Sequence, residues 1–409
     1  MEFRDYQVKI IKKAINVLSK HGFVYLAMEV RTGKTLTSLG ICQKMKAKSV
    51  LFVTKKKAIS FIEKDYDLLN PRFDIEVINY ESLHKVRKPC DFLILDEAHC
   101  MGKLQKPSKR SQMVKSLVAL QNPYVILMSG TPTPENYSQI YHQVYMCKAN
   151  PFSEYSNFYK FAREYVDITE KKFNGLIVRD YTKGKPIIMQ AMNPYMISFS
   201  QKEAGFKVKT TEQILIVQMQ EQTYDIAKKL QKYKVVEGKN EVILGDIPIK
   251  LMTKLHQIYS GTIKFESGST QILDLSKGEY IQKFFKSKKI GIFYKYKAEL
   301  DVLKKVFQDK LTTDLKEFKE DKIKSIALQI QSGREGISLK EADCLVYYNI
   351  DYSATSYWQS RDRMTTIATK ENKIYWVFSS NGIEQEIYKA VIKKKDYTTN
   401  IFKKDFLNL

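Results

Sequence analysis

Three consecutive residues, Gly33-Lys34-Thr35, carry the equipment for holding a polyphosphate. Glycine lets the backbone come close, lysine reaches the β- and γ-phosphates, and a hydroxyl can ligate Mg²⁺. They close the segment Met28-Glu29-Val30-Arg31-Thr32-Gly33-Lys34-Thr35, in which Met28 stands where a standard phosphate loop has its first glycine. On its own a Gly-Lys-Thr can equally be a helix cap. Roughly sixty residues on, Leu93-Ile94-Leu95-Asp96-Glu97-Ala98-His99 ends an apolar run on two adjacent carboxylates, the spacing at which one lobe supplies both halves of a phosphoryl-transfer site. Asp96 can hold Mg²⁺, through water, and Glu97 can polarise the attacking water. A solvated strand end can also carry an Asp-Glu pair, but that reading leaves the order of the two elements unexplained.

Both elements need a scaffold that delivers them to one place. The apolar runs Phe23–Met28, Val50–Thr54, Ile75–Ile78, Phe92–Leu95 and Val125–Met128 alternate with helical stretches, the pattern of buried strands in a parallel α/β sheet. In such sheets ligands sit beyond the carboxyl ends of the strands, where both candidate elements fall. A second set, Ile290–Tyr294, Ile326–Ile330, Cys344–Asn349 and Ile374–Phe378, predicts a second lobe. Between the sets, Tyr155, Phe158, Phe161 and Tyr165 form an aromatic face on a helix capped at Ser153, expected to pack on the first lobe. Strand-like Gln213–Gln218, helical Glu221–Lys234 and Ile249–Tyr259, and glycine turns mark a connector with its own structure. The division expected is therefore a first lobe over 1–150, a helical insertion over 151–204, a structured connector over 205–285 and a second lobe over 286–409.

With these motifs in hand, the chain resembles the ATPases of helicase superfamily 2, in particular the Swi/Snf-like branch and its compact phage-type members, over nearly its whole length. The resemblance implies α/β architecture with two RecA-like lobes, ATP and Mg²⁺ as cofactors, and nucleic acid, above all double-stranded DNA, as partner. Arg4-Asp5-Tyr6-Gln7 resembles the adenine-reading element, in which Gln7 bonds the base edge and Tyr6 packs nearby. Asp96-Glu97-Ala98-His99 is similar to the Walker B box. Ser129-Gly130-Thr131-Pro132 resembles motif III, where Ser129, Thr131 and His99 would couple the ATP site to the nucleic-acid track. Thr54-Lys55-Lys56-Lys57 stands in the place of motif Ia, whose hydroxyl and lysines engage backbone phosphates without reading sequence.

Further on, Ile290–Tyr296 resembles motif IV and Gln331–Leu339 motif V, in which Ser332, Gly333 and Gly336 would meet nucleic-acid phosphates. Trp358-Gln359-Ser360-Arg361-Asp362-Arg363 resembles motif VI, with Gln359 and Arg363 reaching the γ-phosphate and Arg363 as the arginine finger. The sequence departs from the family at two places: Thr366 replaces a second arginine, and Arg31 replaces a phosphate-loop glycine. Arg361 is the residue available to compensate.

Composition agrees with a polyanionic partner. The 68 Lys+Arg against 45 Asp+Glu leave a net charge of +23, which favours phosphate backbones by counterion release. A lysine-heavy surface alone would give the same number, so the motifs decide. The five cysteines are odd in number and far apart, without the paired spacing of a zinc or redox site. The charged start Met1-Glu2-Phe3-Arg4-Asp5 and the lack of any membrane-length apolar run argue against export and membrane insertion. A bacterial or phage-infected cytoplasm is the expected setting. Two rivals to a duplex-tracking motor stay open: a strand-separating or branch-migrating helicase, and a nucleotide-gated clamp with weak turnover.

Overall fold

The computed structural model describes residues 2–134, 136–173, 176–207, 209–238, 241–330, 337–361, 363–365 and 371–393. The chain divides into two compact units, Met1–Phe206 and Lys207–Leu409. Each is built around a six-stranded sheet in which all strand pairs are parallel.

In the first unit, helix α1 (Asp5–His21) precedes β1 (Phe23–Met28), and helix α2 (Lys34–Lys44) follows it. Then come β2 (Ser49–Thr54), β3 (Asp74–Asn79), β4 (Phe92–Leu95) and β5 (Tyr124–Met128), within a residue or so of the expected runs. A hairpin of β6 (Thr169–Phe173) and β7 (Leu176–Asp180) stands apart from the sheet, whereas β8 (Met196–Phe199) joins it, giving the order β3-β2-β4-β5-β1-β8. β1, β2, β4 and β5 are apolar on both faces because both are covered. Tyr25, Leu51, Val53, Leu93, Leu95 and Leu127 enter one core, while Val24, Leu26, Val50, Phe52, Ile94 and Ile126 enter the other. The aromatic helix is Phe158–Tyr165, capped by the Asn157 side chain on Lys160 N–H rather than by Ser153. Phe158 and Phe161 are buried against Tyr141, as the stripe predicted.

The second unit contributes β9 (Lys209–Val217), the antiparallel hairpins β10 (Val235–Glu237) with β11 (Val242–Leu244) and β12 (Thr262–Lys264) with β13 (Thr270–Ile272), and then β14 (Ile290–Tyr294), β15 (Leu311–Thr312), β16 (Ser325–Gln329), β17 (Cys344–Tyr347) and β18 (Glu371–Ser379). Its sheet runs β15-β16-β14-β17-β18-β9. The expected connector is not separate from this unit, since β9 pairs with β18 along nine residues as the sheet's edge strand. Likewise β8, from the expected insertion, is the edge strand beside β1. Burial on both faces explains the apolar runs again, with Phe293, Leu328, Tyr347 and Trp376 on one side and Ile292, Ala327, Val346 and Val377 on the other. The ion pair Lys277–Glu384, at 2.6 Å and fully buried, ties the helix before β14 to the one after β18. No helix among the described residues is long and apolar enough to cross a membrane.

Candidate active site

The first strand ends at Met28 and the chain turns through Glu29–Gly33 into α2. Gly33 takes a left-handed conformation (φ 78°), and a Cβ there would lie 2.7 Å from the Gln7 amide nitrogen, so the residue must be glycine for two reasons. No side chain caps the first turn of α2. Its N–H groups and the helix dipole therefore face the place where an anion is stabilised. Lys34 bends back over the loop, donating from Nζ to the carbonyls of Met28 (2.9 Å) and Glu29 (3.0 Å). Thr35 sits beside it in the first turn, half-buried. Arg31 occupies the left-handed region (φ 63°) in place of the expected glycine.

The loop is braced from α1. Tyr6 donates from its hydroxyl to Thr32 O (3.2 Å) and stacks on Phe199 with ring centroids 4.7 Å apart. Gln7 is buried, accepting from Arg4 N–H at Oε1 (3.0 Å) and donating from Nε2 to Gly33 O and Thr37 Oγ1 (3.3 Å each). Both ends of its amide are thus engaged, the oxygen at the start of α1 and the nitrogen on the loop and α2, and contact with a base edge requires an exchange of those bonds.

At the end of β4 the two carboxylates separate in role. Asp96 continues the ladder through its N–H to Val53 O (2.9 Å), and its carboxylate accepts from the Thr54 hydroxyl (2.7 Å). The Tyr80 hydroxyl donates to Asp96 O (2.6 Å). Burial and the adjacent Glu97 push Asp96 up to about 6, while the Thr54 bond and the Lys34 ammonium pull the other way. Glu97 then turns left-handed (φ 51°), and its Oε2 lies 3.2 Å from His99 Nδ1. The same ring nitrogen is 2.9 Å from Ser129 Oγ, which accepts from Thr131 N–H (3.0 Å). Glu97, His99, Ser129 and Thr131 thereby form one polar chain from the end of β4 to the end of β5. The Thr131 hydroxyl oxygen is buried without a hydrogen-bond partner among the described residues.

The grouping corrects one expectation. Thr54 is fully buried and bonded to Asp96, so it belongs to the carboxylate site and not to a phosphate-facing track. The reason is its position on the last residue of β2, directly beside β4. Lys56 and Lys57 are exposed, and Lys55 is half-buried with its charge felt by Glu81 and Cys100. Among the described residues no group of three or more His, Cys, Asp or Glu side chains could hold a metal. The oxygen donors near the loop, Thr35 and Asp96, fit Mg²⁺, which takes one or two protein oxygens and completes its shell with phosphates and water.

In the second unit the Ala354–Arg361 helix carries Gln359 and Arg361. Arg361 pairs with Glu212 of β9 (2.7 Å) and lies over the Trp358 ring (4.6 Å). Glu212 also accepts from the hydroxyls of Tyr357 and Tyr388 (2.9 and 3.0 Å) and from Trp376 Nε1 (2.9 Å). A carboxylate with four donors fixes the helix to the sheet edge, and no motif in the sequence pointed to it. Arg363 is buried, with Nη1 donating to Ile337 O (3.3 Å) and its own carbonyl accepting from Leu339 N–H (2.9 Å). Ser332, Gly333 and Gly336, with Asp362 and Thr366, lie outside the described residues.

Family comparison covers the chain in three stretches. The SNF2-related domain matches residues 54–262, just over half of the chain. The helicase conserved C-terminal domain matches 276–367, and the type III restriction enzyme, res subunit, matches 1–66. No curated protein matches the chain by sequence. Among solved structures, the Sulfolobus solfataricus SWI2/SNF2 ATPase core in complex with dsDNA is similar at 14% identity and a TM-score of 0.43, covering 99% of this chain and 92% of that one. The Sulfolobus solfataricus SWI2/SNF2 ATPase core domain is similar at the same identity and TM-score, covering 96% and 89%. With the SNF2-related match spanning half of its length, the chain belongs to the SNF2-related family: a nucleic-acid-dependent ATPase of the Swi/Snf-like branch of helicase superfamily 2, with two α/β units each built on a six-stranded parallel sheet.

Proposed function

We propose that the chain hydrolyses ATP while bound to double-stranded DNA and uses the cycle to move along the duplex without separating its strands. The observation that carries the reading is the convergence of Lys34, Thr54–Asp96 and the Glu97–His99–Ser129–Thr131 chain at the carboxyl ends of one parallel sheet. In this reading Lys34 leaves the Met28 and Glu29 carbonyls for the phosphates, and the first-turn amides of α2 neutralise the charge beside it. Thr35 and Asp96 would hold Mg²⁺, which when bound would neutralise charge on the phosphoryl oxygens. Glu97 orients water and accepts its proton, with His99 fixing the carboxylate. Gln7 and Tyr6 position the adenine end.

The His99–Ser129–Thr131 chain gives the coupling route, because any change at Glu97 is felt at the end of β5 through consecutive polar contacts. Gln359 and Arg363 of the second unit supply the γ-phosphate contacts, which requires Arg363 to exchange its bond to Ile337 O. The exposed Lys56 and Lys57, together with Lys55 and motif V, engage backbone phosphates, in keeping with the net charge of +23. A clamp with slow turnover is the second reading, favoured by the pinning of Arg361 by Glu212 and of Arg363 by Ile337.

Displacement of a third strand from a triplex, measured beside unwinding of a forked duplex, tests the proposal. Triplex displacement dependent on ATP with no fork unwinding is expected. Fork unwinding would make the protein a strand-separating helicase, and loss of both with intact DNA binding would make it a clamp.

A further inference from the structure

The phosphate loop is held from a second side by residues that have no part in the motifs. β8 lies beside β1, and the ladder runs one step beyond it, with Glu29 N–H donating to Phe199 O (2.9 Å). Two residues later Gln201 grips the loop twice. Its backbone N–H donates to Glu29 Oε2 (2.7 Å), and its side-chain Nε2 donates to Val30 O (3.0 Å). The Gln201 segment is itself compact: Ser200 donates from N–H and Oγ to Glu203, and Phe206 N–H closes onto Gln201 O (3.0 Å).

The carbonyl that Gln201 holds belongs to the peptide joining Val30 to Arg31, and Arg31 is the left-handed, non-glycine residue of the loop. A side chain in that region is strained, and such a turn persists only where its surroundings over-determine it. Fixing Val30 O fixes the peptide plane from which the Arg31 turn starts. We propose that Gln201 is a positioning residue for ATP, holding the Arg31 turn of the phosphate loop in the shape that admits the phosphates. The proposal rests on the assignment of Glu29–Thr35 as the phosphate site. It gives a physical reason why this chain works with arginine where glycine is expected.

The test is a cycle over Gln201 and Arg31 read by ATP turnover and by equilibrium binding of a fluorescent ATP analogue to the full-length protein. Gln201→Met, which keeps the backbone bond to Glu29 and the side-chain volume, should raise KM and the analogue's Kd roughly three- to tenfold, the size carried by one hydrogen bond, with kcat at saturating ATP unchanged. Glycine accepts a left-handed φ without strain, so Arg31→Gly in the Gln201→Met background should recover most of that loss. Arg31→Gly alone serves as the reference, so that contacts of the arginine side chain are subtracted. An unchanged KM in a Gln201→Met protein that melts like the parent would overturn the proposal. So would a raised KM that Arg31→Gly fails to lower, since the bond would then act elsewhere than on the turn. Lys34→Ala separates this from the site assignment: if it retains analogue binding the phosphate site itself is misplaced, whereas if it loses binding and Gln201→Met does not, only the role of Gln201 fails.

Discussion

The ends of the first sheet and the motif VI helix of the second unit hold their charged groups in opposite ways. In the first unit Lys34, Thr54, Asp96, Glu97 and Ser129 stand at the ends of β1, β2, β4 and β5, and they bond mostly to one another or to the adjacent loop. In the second, Arg361 and Arg363 are committed to distant partners, Glu212 of the edge strand and the Ile337 carbonyl. Parallel strands end together, so any polar residue placed just after an apolar run is delivered to the same place. A helix surface offers no such guarantee, and Arg361 takes the carboxylate that the sheet edge presents, while Arg363, just beyond the helix, takes a backbone carbonyl. On the proposed reading, the first unit is pre-assembled for phosphate chemistry, while the second would have to release an arginine to take part.

The largest effects should come from the pre-assembled half. Lys34→Ala and Glu97→Gln are each expected to abolish ATP turnover, but Glu97→Gln should retain ATP binding because it removes only the group that prepares water. Near-normal turnover in either variant would dissolve the contrast between the units. Next comes the conditional half. Arg363→Ala should lose most nucleic-acid-stimulated hydrolysis, as an arginine finger contributes about 10³–10⁵ in rate, with DNA binding in the absence of ATP preserved. Arg361→Ala should leave hydrolysis within several-fold of the parent. It should instead lower thermal stability by about 1–3 kcal/mol, since Glu212 loses its charged partner at a site only 14% exposed. If Arg361→Ala is the damaging change for hydrolysis and Arg363→Ala is mild, the register of motif VI is wrong.

A smaller effect follows from Asp96. Burial and Glu97 push its carboxyl up to about 6, so protonation as pH falls through 6 removes the acceptor that Mg²⁺ needs. Turnover at limiting Mg²⁺ should halve near pH 6, and raising Mg²⁺ should move that midpoint down; a flat profile to pH 5 speaks against Asp96 as the ligand. The smallest effect concerns the lysines beyond Thr54. Neutralising Lys55, Lys56 and Lys57 together should weaken nucleic-acid binding and reduce the magnitude of its salt slope by at most about 0.9 per lost phosphate contact, with basal turnover intact. An unchanged slope would remove this loop from the track.

The strands were legible in the sequence because buried parallel strands are apolar throughout, and the residues just after them inherit their placement. Phe23–Met28 and Phe92–Leu95 match the expected runs, and Lys34, Asp96 and Glu97 follow from them. What stayed hidden were contacts that depend on non-local pairing. Met196–Phe199 and Lys209–Val217 gave no sign that they are edge strands of different sheets, and from that topology come Phe199 and Gln201 on the phosphate loop and Glu212 on the motif VI helix. Thr54 was misread for a related reason: its neighbour on β4 is set by strand order, not by spacing along the chain. Equally hidden were the bonds of the Gln7 amide to Arg4, Gly33 and Thr37, which brace the loop from α1.

The central claim is that the first-unit site turns over only when nucleic acid brings the second unit's arginine into play. Steady-state ATP hydrolysis, measured at saturating ATP with and without linear duplex DNA for the parent and Arg363→Ala, tests it most directly. The account predicts strong stimulation of the parent by duplex, exceeding that by single-stranded DNA or RNA of equal length, and near-basal rates for Arg363→Ala in every case. Equal stimulation of both proteins would show that hydrolysis is activated without motif VI, and would contradict it.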